Sequence, residues 1–215
     1  MTVLTEIETR DFLAVHELPM NRQILVQDES AAVSAANEIG FPVVLKLISK
    51  NIVHKSDVDG VKVNLGKDEE VRCGYQKLME IGNKLQVPIE GVSVQKMVQG
   101  VAELFIGIKR DETFGAVVLV GFGGVGIELI RDFQIAFPPL SRNDVKWILE
   151  RLKSVSLLRG YRGRKLADEA ALVDVILLVS RLSQIENSII ELDLNPIIVR
   201  ESGAGVVIVD ARAQL

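Results

Sequence analysis

Four strand-like runs follow one another between residues 89 and 140: IEGVSVQKMV, AELFIGIKR, GAVVLVGFG and RDFQIAFPPL. The connections between them are short, with little room for crossover helices, so the strands are expected to run mostly antiparallel. The chain closes in the same style. IIELDLNPIIV, the turn RESGAG and VVIVDARA read as a terminal β-hairpin. Near the start, QILVQ is a short strand, and GVKVNLG alternates as a strand paired to FPVVLKLIS, where Pro42 belongs at a strand's start or edge.

Helical patterns separate these runs. Residues 2–17 carry apolar positions at helical spacing and stop before Pro19, and DESAAVSAANEIG offers Asp28 or Ser30 as a cap and Gly40 as an end. Residues 67–86, SRNDVKWILERL with its serine cap, and ADEAALVDVILLVSRLSQIE complete the set. The expectation is an α+β protein of two lobes, residues 21–103 and residues 1–20 with 104–215.

Composition narrows the function. With 48% hydrophobic and 25% charged residues, the 215-residue chain reads as a soluble globular protein. A net charge of -4 argues against a nucleic-acid partner, which requires a basic footprint. The single cysteine, Cys73, has no internal disulfide partner, and the acids in MTVLTEIETRDFLAVHELP do not suit a signal peptide. GAVVLVGFGGVGIELI is too short and glycine-rich to span a bilayer, so neither a membrane nor an oxidising compartment is expected and a cytoplasmic location is.

Certain residues stand out chemically. Lys46 interrupts an apolar strand, where an ammonium needs an anion such as a nucleotide phosphate; the plainer reading puts it on the wet face of an edge strand. ELDLNP places Glu191, Asp193 and Asn195 at i, i+2 and i+4 on one strand face, with Asp210 brought opposite Asn195 by hairpin pairing. Such hard oxygen donors suit Mg²⁺ shared with substrate phosphates, although polar residues on one face are also what any solvated sheet presents. GFGGVGIE lets backbone amides approach phosphate, yet it matches neither the Walker nor the Rossmann spacing. His54, in HKSDVDGVK, is a loop imidazole that can serve as a nucleophile when neutral, or simply be solvated.

The order of these signals resembles the ATP-grasp domain, with two α/β lobes and a nucleotide cleft between them. The stretches GFPVVLKLISKNIVHKSDVDGV, VQKMVQGVAELFIGIKRDETFGAVVLVGFGGVGIE, LLRGYRG, ELDLNPIIV and VDARA are similar to one branch of it, the β subunits of NDP-forming acyl-CoA synthetases related to succinyl-CoA synthetase. That resemblance implies an ADP-forming acid–CoA ligase of the acetate–CoA type, interconverting acyl-CoA, ADP and phosphate with acid, CoA and ATP through a phosphohistidine. It implies ATP or ADP with Mg²⁺ as cofactors, and a CoA-binding α subunit as partner in a hetero-oligomer. Residues 21–103 would form the lid side and the remainder the metal side. Lys46 would hold the phosphates, Gln95 and the backbone near Val98 would line the adenine, and Glu103 would meet the ribose. Asn195 and Asp210 would bind Mg²⁺ with Asp193 close by, and His54 would relay the phosphoryl group.

Two features depart from the family pattern. A glycine pair is expected after HKSDV, but Asp59 precedes Gly60, placing a carboxylate that would repel phosphate in a turn that suits positive φ. GGVGIE stands where a bulkier apolar stretch is expected. The acid-free run RLKSVSLLRGYRGRK, residues 151–165, is suited to an acidic face of the α subunit or to a phosphate, or is a solvated loop. A non-catalytic nucleotide-sensing partner and a carboxylate ligase without phosphohistidine are the alternative readings.

Overall fold

The computed structural model of the chain describes residues 2–52, 55–124 and 131–215. Among them the α-helices are α1 (Glu6–Leu13), α2 (Glu29–Ile39), α3 (Asp68–Leu85), α4 (Arg142–Glu150) and α5 (Glu169–Ile185). The strands of the first half are β1 (Gln23–Val26), β2 (Val43–Ile48), β3 (Val61–Leu65) and β4 (Gly91–Lys96). Those of the second are β5 (Ala102–Asp111), β6 (Gly115–Phe122), β7 (Phe133–Ala136), β8 (Glu191–Val199), β9 (Val206–Ile208) and β10 (Ala211–Gln214). They form two compact units, Asn21–Met97 and Met1–Met20 with Val98–Leu215.

In the Asn21–Met97 unit the antiparallel sheet runs β1-β4-β2-β3. The side chain of Asp28 caps α2 by accepting from the Ala31 N–H at 2.8 Å, and Gly40, at φ +87°, ends it. Lys96 then donates from Nζ to the carbonyls of Gly40 and Phe41, both at 2.7 Å, placing a cation at the negative end of the helix. The buried face of α2 is built from Ala32, Val33, Ala35 and Ala36, small enough to let the helix lie close to α3 and β4. Val43, Leu45 and Leu47 of β2 and Val92 and Val94 of β4 supply the sheet's half of that core.

The other unit is built on the order β10-β8-β5-β6-β7, with β9 also pairing to β8. Leu104, Ile106 and Ile108 of β5 turn inward together with Leu172, Ile176 and Val179 of α5. Arg110 fastens the end of that helix to β5: its guanidinium donates to the carbonyls of Ser183, Glu186 and Ile189 at 2.9–3.1 Å. The buried Asp132 carboxylate accepts from the Lys153 and Ser154 N–H groups at 2.7 and 2.8 Å and so ties the chain after α4 to the start of β7. On β6, Gly121 lies between Phe105 and Phe133 on the flanking strands. The two rings pack across it with centroids 6.5 Å apart.

Two expectations are corrected. The first helix begins at Glu6, because the Thr5 and Glu8 side chains form a reciprocal cap there; Thr2 and Leu4 instead pair through their backbones with Leu215 and Ala213 beside β10. The terminal hairpin is divided: VVIVDARA makes two strands, both against β8. Pro196 has no N–H to continue the ladder, and β8 carries an extra residue opposite β5 between the pairs Leu104–Ile197 and Ile106–Leu194. No helix among the described residues is long and apolar enough to cross a membrane.

Two substitutions test this framework. A Cβ added at Gly121 would stand 2.5 Å from the Phe105 ring and 2.7 Å from the Asp132 carbonyl, both in packed structure. Gly121→Ala is therefore expected to cost about 1–3 kcal/mol in urea unfolding. Asp168 caps α5, and its carboxyl is held below the usual carboxylate range by the Ala171 N–H first and the Gly205 N–H second. Stabilisation from such a group is present above its unfolded pKa, about 4, and is lost as pH falls through the lower folded value. Asp168→Asn should thus lower the thermal midpoint at pH 7, with the gap to the native chain closing in acid; a gap independent of pH would remove the charge from the explanation.

Candidate functional site

The residues singled out by sequence occupy two places, one in each unit. In the first, β2 is buried on both faces. Leu45 and Leu47 face the helices, so Val44, Lys46 and Ile48 face the other way. Lys46 is only 4% exposed there, and its cross-strand neighbour on β4 is Ser93. Val44 is likewise paired with Gln95. Directly opposed residues share a face, so Lys46, Ser93 and Gln95 stand together on a buried polar surface of an otherwise apolar sheet. Gln23 of β1 joins them: Gln95 Nε2 donates to its Oε1 at 2.5 Å and Ser93 Oγ at 3.3 Å. Sequence reasoning found Lys46 and Gln95 and missed Ser93 and Gln23. The alternation of GVSVQ was the available signal for Ser93.

His54 lies outside the described residues. The turn that follows it is described from Lys55 onward. Residues Lys55–Val58 make a 3-10 turn, closed by the Gly60 N–H on the Lys55 carbonyl at 2.7 Å. A Cβ at Gly60 would meet that same carbonyl at 2.9 Å, so the position requires glycine. Asp59 takes φ +57°, a conformation aspartate tolerates better than most side chains, and its carboxylate accepts from Lys62 Nζ at 2.5 Å. The charge that the sequence placed in this turn is therefore matched by a lysine on β3.

In the second unit, Glu191 and Asp193 of β8 are exposed while Leu192 and Leu194 between them are buried. Asp193 stands opposite Gly107 of β5 and Arg212 of β10. Arg212 brings a cation to the same face. Asn195 follows at the bulge, half-buried, and its N–H donates to the Asp210 carbonyl at 3.1 Å. Val209 donates likewise to Pro196 at 3.0 Å, so the break between β9 and β10 is held against the break in β8. This juxtaposition sets the backbones of Asn195 and Asp210 side by side near Asp193, residues that between them carry two carboxylates and an amide oxygen. Among the described residues no group of three or more His, Cys, Asp or Glu side chains could hold a metal ion. An ion at this hairpin would need further oxygens from a ligand or from water, which is the coordination Mg²⁺ takes with phosphates.

Glu103 is exposed at the start of β5, on the face turned away from α5, as is Asp193. Its carbonyl accepts from the Gly123 N–H at 2.7 Å, and its Oε2 would be 3.7 Å from a Cβ at Gly124. Gly123 and Gly124, the last two glycines of GFGG, are thus laid alongside it. Val98 is partly buried in the connection leading to β5. The structure therefore brings Lys46 together with Gln95, and Asp193 together with Asn195 and Asp210.

An ATP-grasp domain model matches residues 1–215. The chain is 43% identical over 173 residues to acetate–CoA ligase (ADP-forming) I of Archaeoglobus fulgidus, covering 80% of this chain and 25% of that protein. It is 34% identical to the β subunit of acetate–CoA ligase (ADP-forming) II of Pyrococcus furiosus, covering 98% of this chain and 91% of the subunit. The chain thus spans about a quarter of the one relative and nearly all of the other. Among solved structures, it superposes on the dinucleotide-forming acetyl-coenzyme A synthetase 1 of Ca. Korarchaeum cryptofilum with a TM-score of 0.93 at 40% identity, covering 99% of this chain and 93% of that one. That structure is a complex with coenzyme A, Ca-AMPCP and HgCl+. A second form of the same enzyme, with coenzyme A and Mg-AMPPCP, has its phosphohistidine segment pointing towards the nucleotide binding site and gives a TM-score of 0.86 at 38% identity, covering 99% of this chain and 92% of that one. A family model spanning every residue, and relatives this similar over nearly the whole chain, place this protein in the ATP-grasp domain family, alongside the ADP-forming acetate–CoA ligases.

Proposed function

We propose that this chain is the nucleotide-binding β component of an ADP-forming acyl-CoA synthetase of the acetate–CoA type, and that it moves a phosphoryl group between ADP and His54. The observation that carries the reading is Lys46, an ammonium 4% exposed on a strand buried on both faces, with Ser93 and Gln95 beside it. A buried cation in such a place is suited to the phosphates of a nucleotide. The nucleotide analogues and the phosphohistidine segment of the Korarchaeum enzyme point the same way.

The residues divide the work. Lys46 neutralises phosphate oxygens, Gln95 and the backbone at Val98 receive the adenine, and Glu103 takes the ribose hydroxyls. Asn195 and Asp210, with Asp193 adjacent, hold Mg²⁺, which when bound offsets the charge of the phosphates. In the ATP-forming direction a neutral ring nitrogen of His54 takes the phosphoryl group made available by the acyl phosphate, a P–N bond forming as the P–O bond to the departing carboxylate breaks, and then yields it to ADP, a P–O bond of ATP forming as the P–N bond breaks. Positioning and charge neutralisation supply most of the acceleration in phosphoryl transfer, and these residues offer both. The ion pair of Asp59 with Lys62 lowers the repulsion that an isolated carboxylate would exert on a phosphorylated neighbour. The carboxylic acid and CoA chemistry is assigned to a CoA-binding α subunit in a cytoplasmic hetero-oligomer, in keeping with the β-subunit naming of the Pyrococcus relatives. In this reading residues 21–103, which take in the Asn21–Met97 unit and the connection into β5, are the lid side and the remainder the metal side.

Incubation with [γ-³²P]ATP and Mg²⁺ should label the chain in an acid-labile, alkali-stable form. Label that persists at full strength in His54→Ala would overturn the relay. Lys46→Ala is expected to weaken ATP binding by about tenfold or more, corresponding to at least ~1.4 kcal/mol, in calorimetric titration. Asn195→Ala and Asp210→Ala should raise the Mg²⁺ concentration needed for half-maximal labelling; an unchanged requirement in both excludes the hairpin as the metal site.

A further inference from the structure

The basic run that ends at Arg164 and Lys165 has no part in the proposed phosphoryl transfer. These two residues line a groove of about 760 Å³ together with Gln99, Arg200, Glu201 and the Gly203 turn. All of them belong to the second unit. A groove of this size accommodates a ligand larger than a single phosphate.

Its walls are braced by backbone bonds. The turn after β8 is closed by the Arg200 N–H on the Gly205 carbonyl at 3.0 Å and the Ala204 N–H on the Glu201 carbonyl at 2.8 Å. It is stitched to the segment before α5 by Ser202 N–H on the Leu166 carbonyl at 2.9 Å, Asp168 N–H on the Arg200 carbonyl at 2.8 Å, and Gly205 N–H on the Asp168 carboxylate at 2.8 Å. On the opposite side Gly100 lies flat against β8, where a Cβ would strike Ile198 at 2.4 Å.

The charge is one-sided. Three cations line the groove against one carboxylate, Glu201, and Lys165 Nζ donates to that carboxylate at 2.5 Å. Arg164 and Lys165 are exposed, whereas Arg200 is half-buried and its Nε has no hydrogen-bond partner among the described residues. Asp168 attracts Arg200, but its oxygens already accept from the N–H groups of Ala171 and Gly205. A guanidinium fixed in this way keeps donor capacity for a doubly charged oxyanion, which planar N–H pairs bind well.

We propose that this groove is a binding site for a diphosphate ester, held by Arg200, Arg164 and Lys165 and separate from the phosphate site at Lys46. Nucleotides and coenzyme A both carry that group, and the cations recognise what the two share.

Calorimetric titration with inorganic pyrophosphate tests the assignment. In a Lys46→Met chain, pyrophosphate should still bind, and adding Arg164→Gln and Lys165→Gln, both at exposed positions, should weaken it at least tenfold; Arg200→Gln should do the same. With Lys46 intact, the paired Arg164→Gln and Lys165→Gln change should reduce the stoichiometry from two pyrophosphates to one. Absence of binding in Lys46→Met, with unchanged stoichiometry in the paired variant, would overturn the groove while leaving the nucleotide assignment standing. Loss of pyrophosphate by competition with ADP or with coenzyme A identifies which molecule supplies the diphosphate; competition by neither would overturn the ester.

Discussion

The second unit depends on one strand. β8 is hydrogen-bonded along both edges, to β5 on one side and to β9 and β10 on the other. Its inward side chains Leu192, Leu194, Ile197 and Val199 are essentially fully buried. A central strand of this kind cannot shift register without turning its apolar set to the wrong face. The interruption at Asn195–Pro196 is therefore held firmly, and so is the matching interruption at Val209–Asp210. The same interactions that close the core thereby fix the backbone at Asn195 and Asp210.

The first unit meets an opposite demand. Its sheet spends one face on an ordinary helix-covered core and keeps Lys46, Ser93, Gln95 and Gln23 on the other. Burying polar groups costs stability unless each is matched, so a protein retains such a face for specificity or function more than for stability.

Much of this was legible in the chain. Antiparallel pairing, the caps at Asp28 and Ser141, the strand–turn–strand ending and the ATP-grasp resemblance all follow from local spacing and punctuation, which short-range sterics and hydrogen bonding enforce. The polar residues that complete the Lys46 face were less visible. Gln23 and Ser93 are 70 residues apart, and only strand pairing joins them. Asp59 was misleading when read alone, because its partner Lys62 lies across the turn on the next strand. The groove at Arg200 was legible only as a basic run, since its third cation comes from a turn 35 residues downstream of Lys165.

The sequence by itself determined which segments are strands or helices, where they stop, and which residue types carry charge into apolar surroundings. Those properties belong to single residues and their near neighbours. Tertiary structure decided which polar groups meet. It divided the last hairpin at Pro196, set Arg212 opposite Asp193, paired Asp59 with Lys62 and brought Arg200 to the basic loop. Apart from the Asp59–Lys62 pair, which lies within one turn, each of these depends on long-range register, which is chosen by the packing of the whole sheet and is absent from any local stretch of chain.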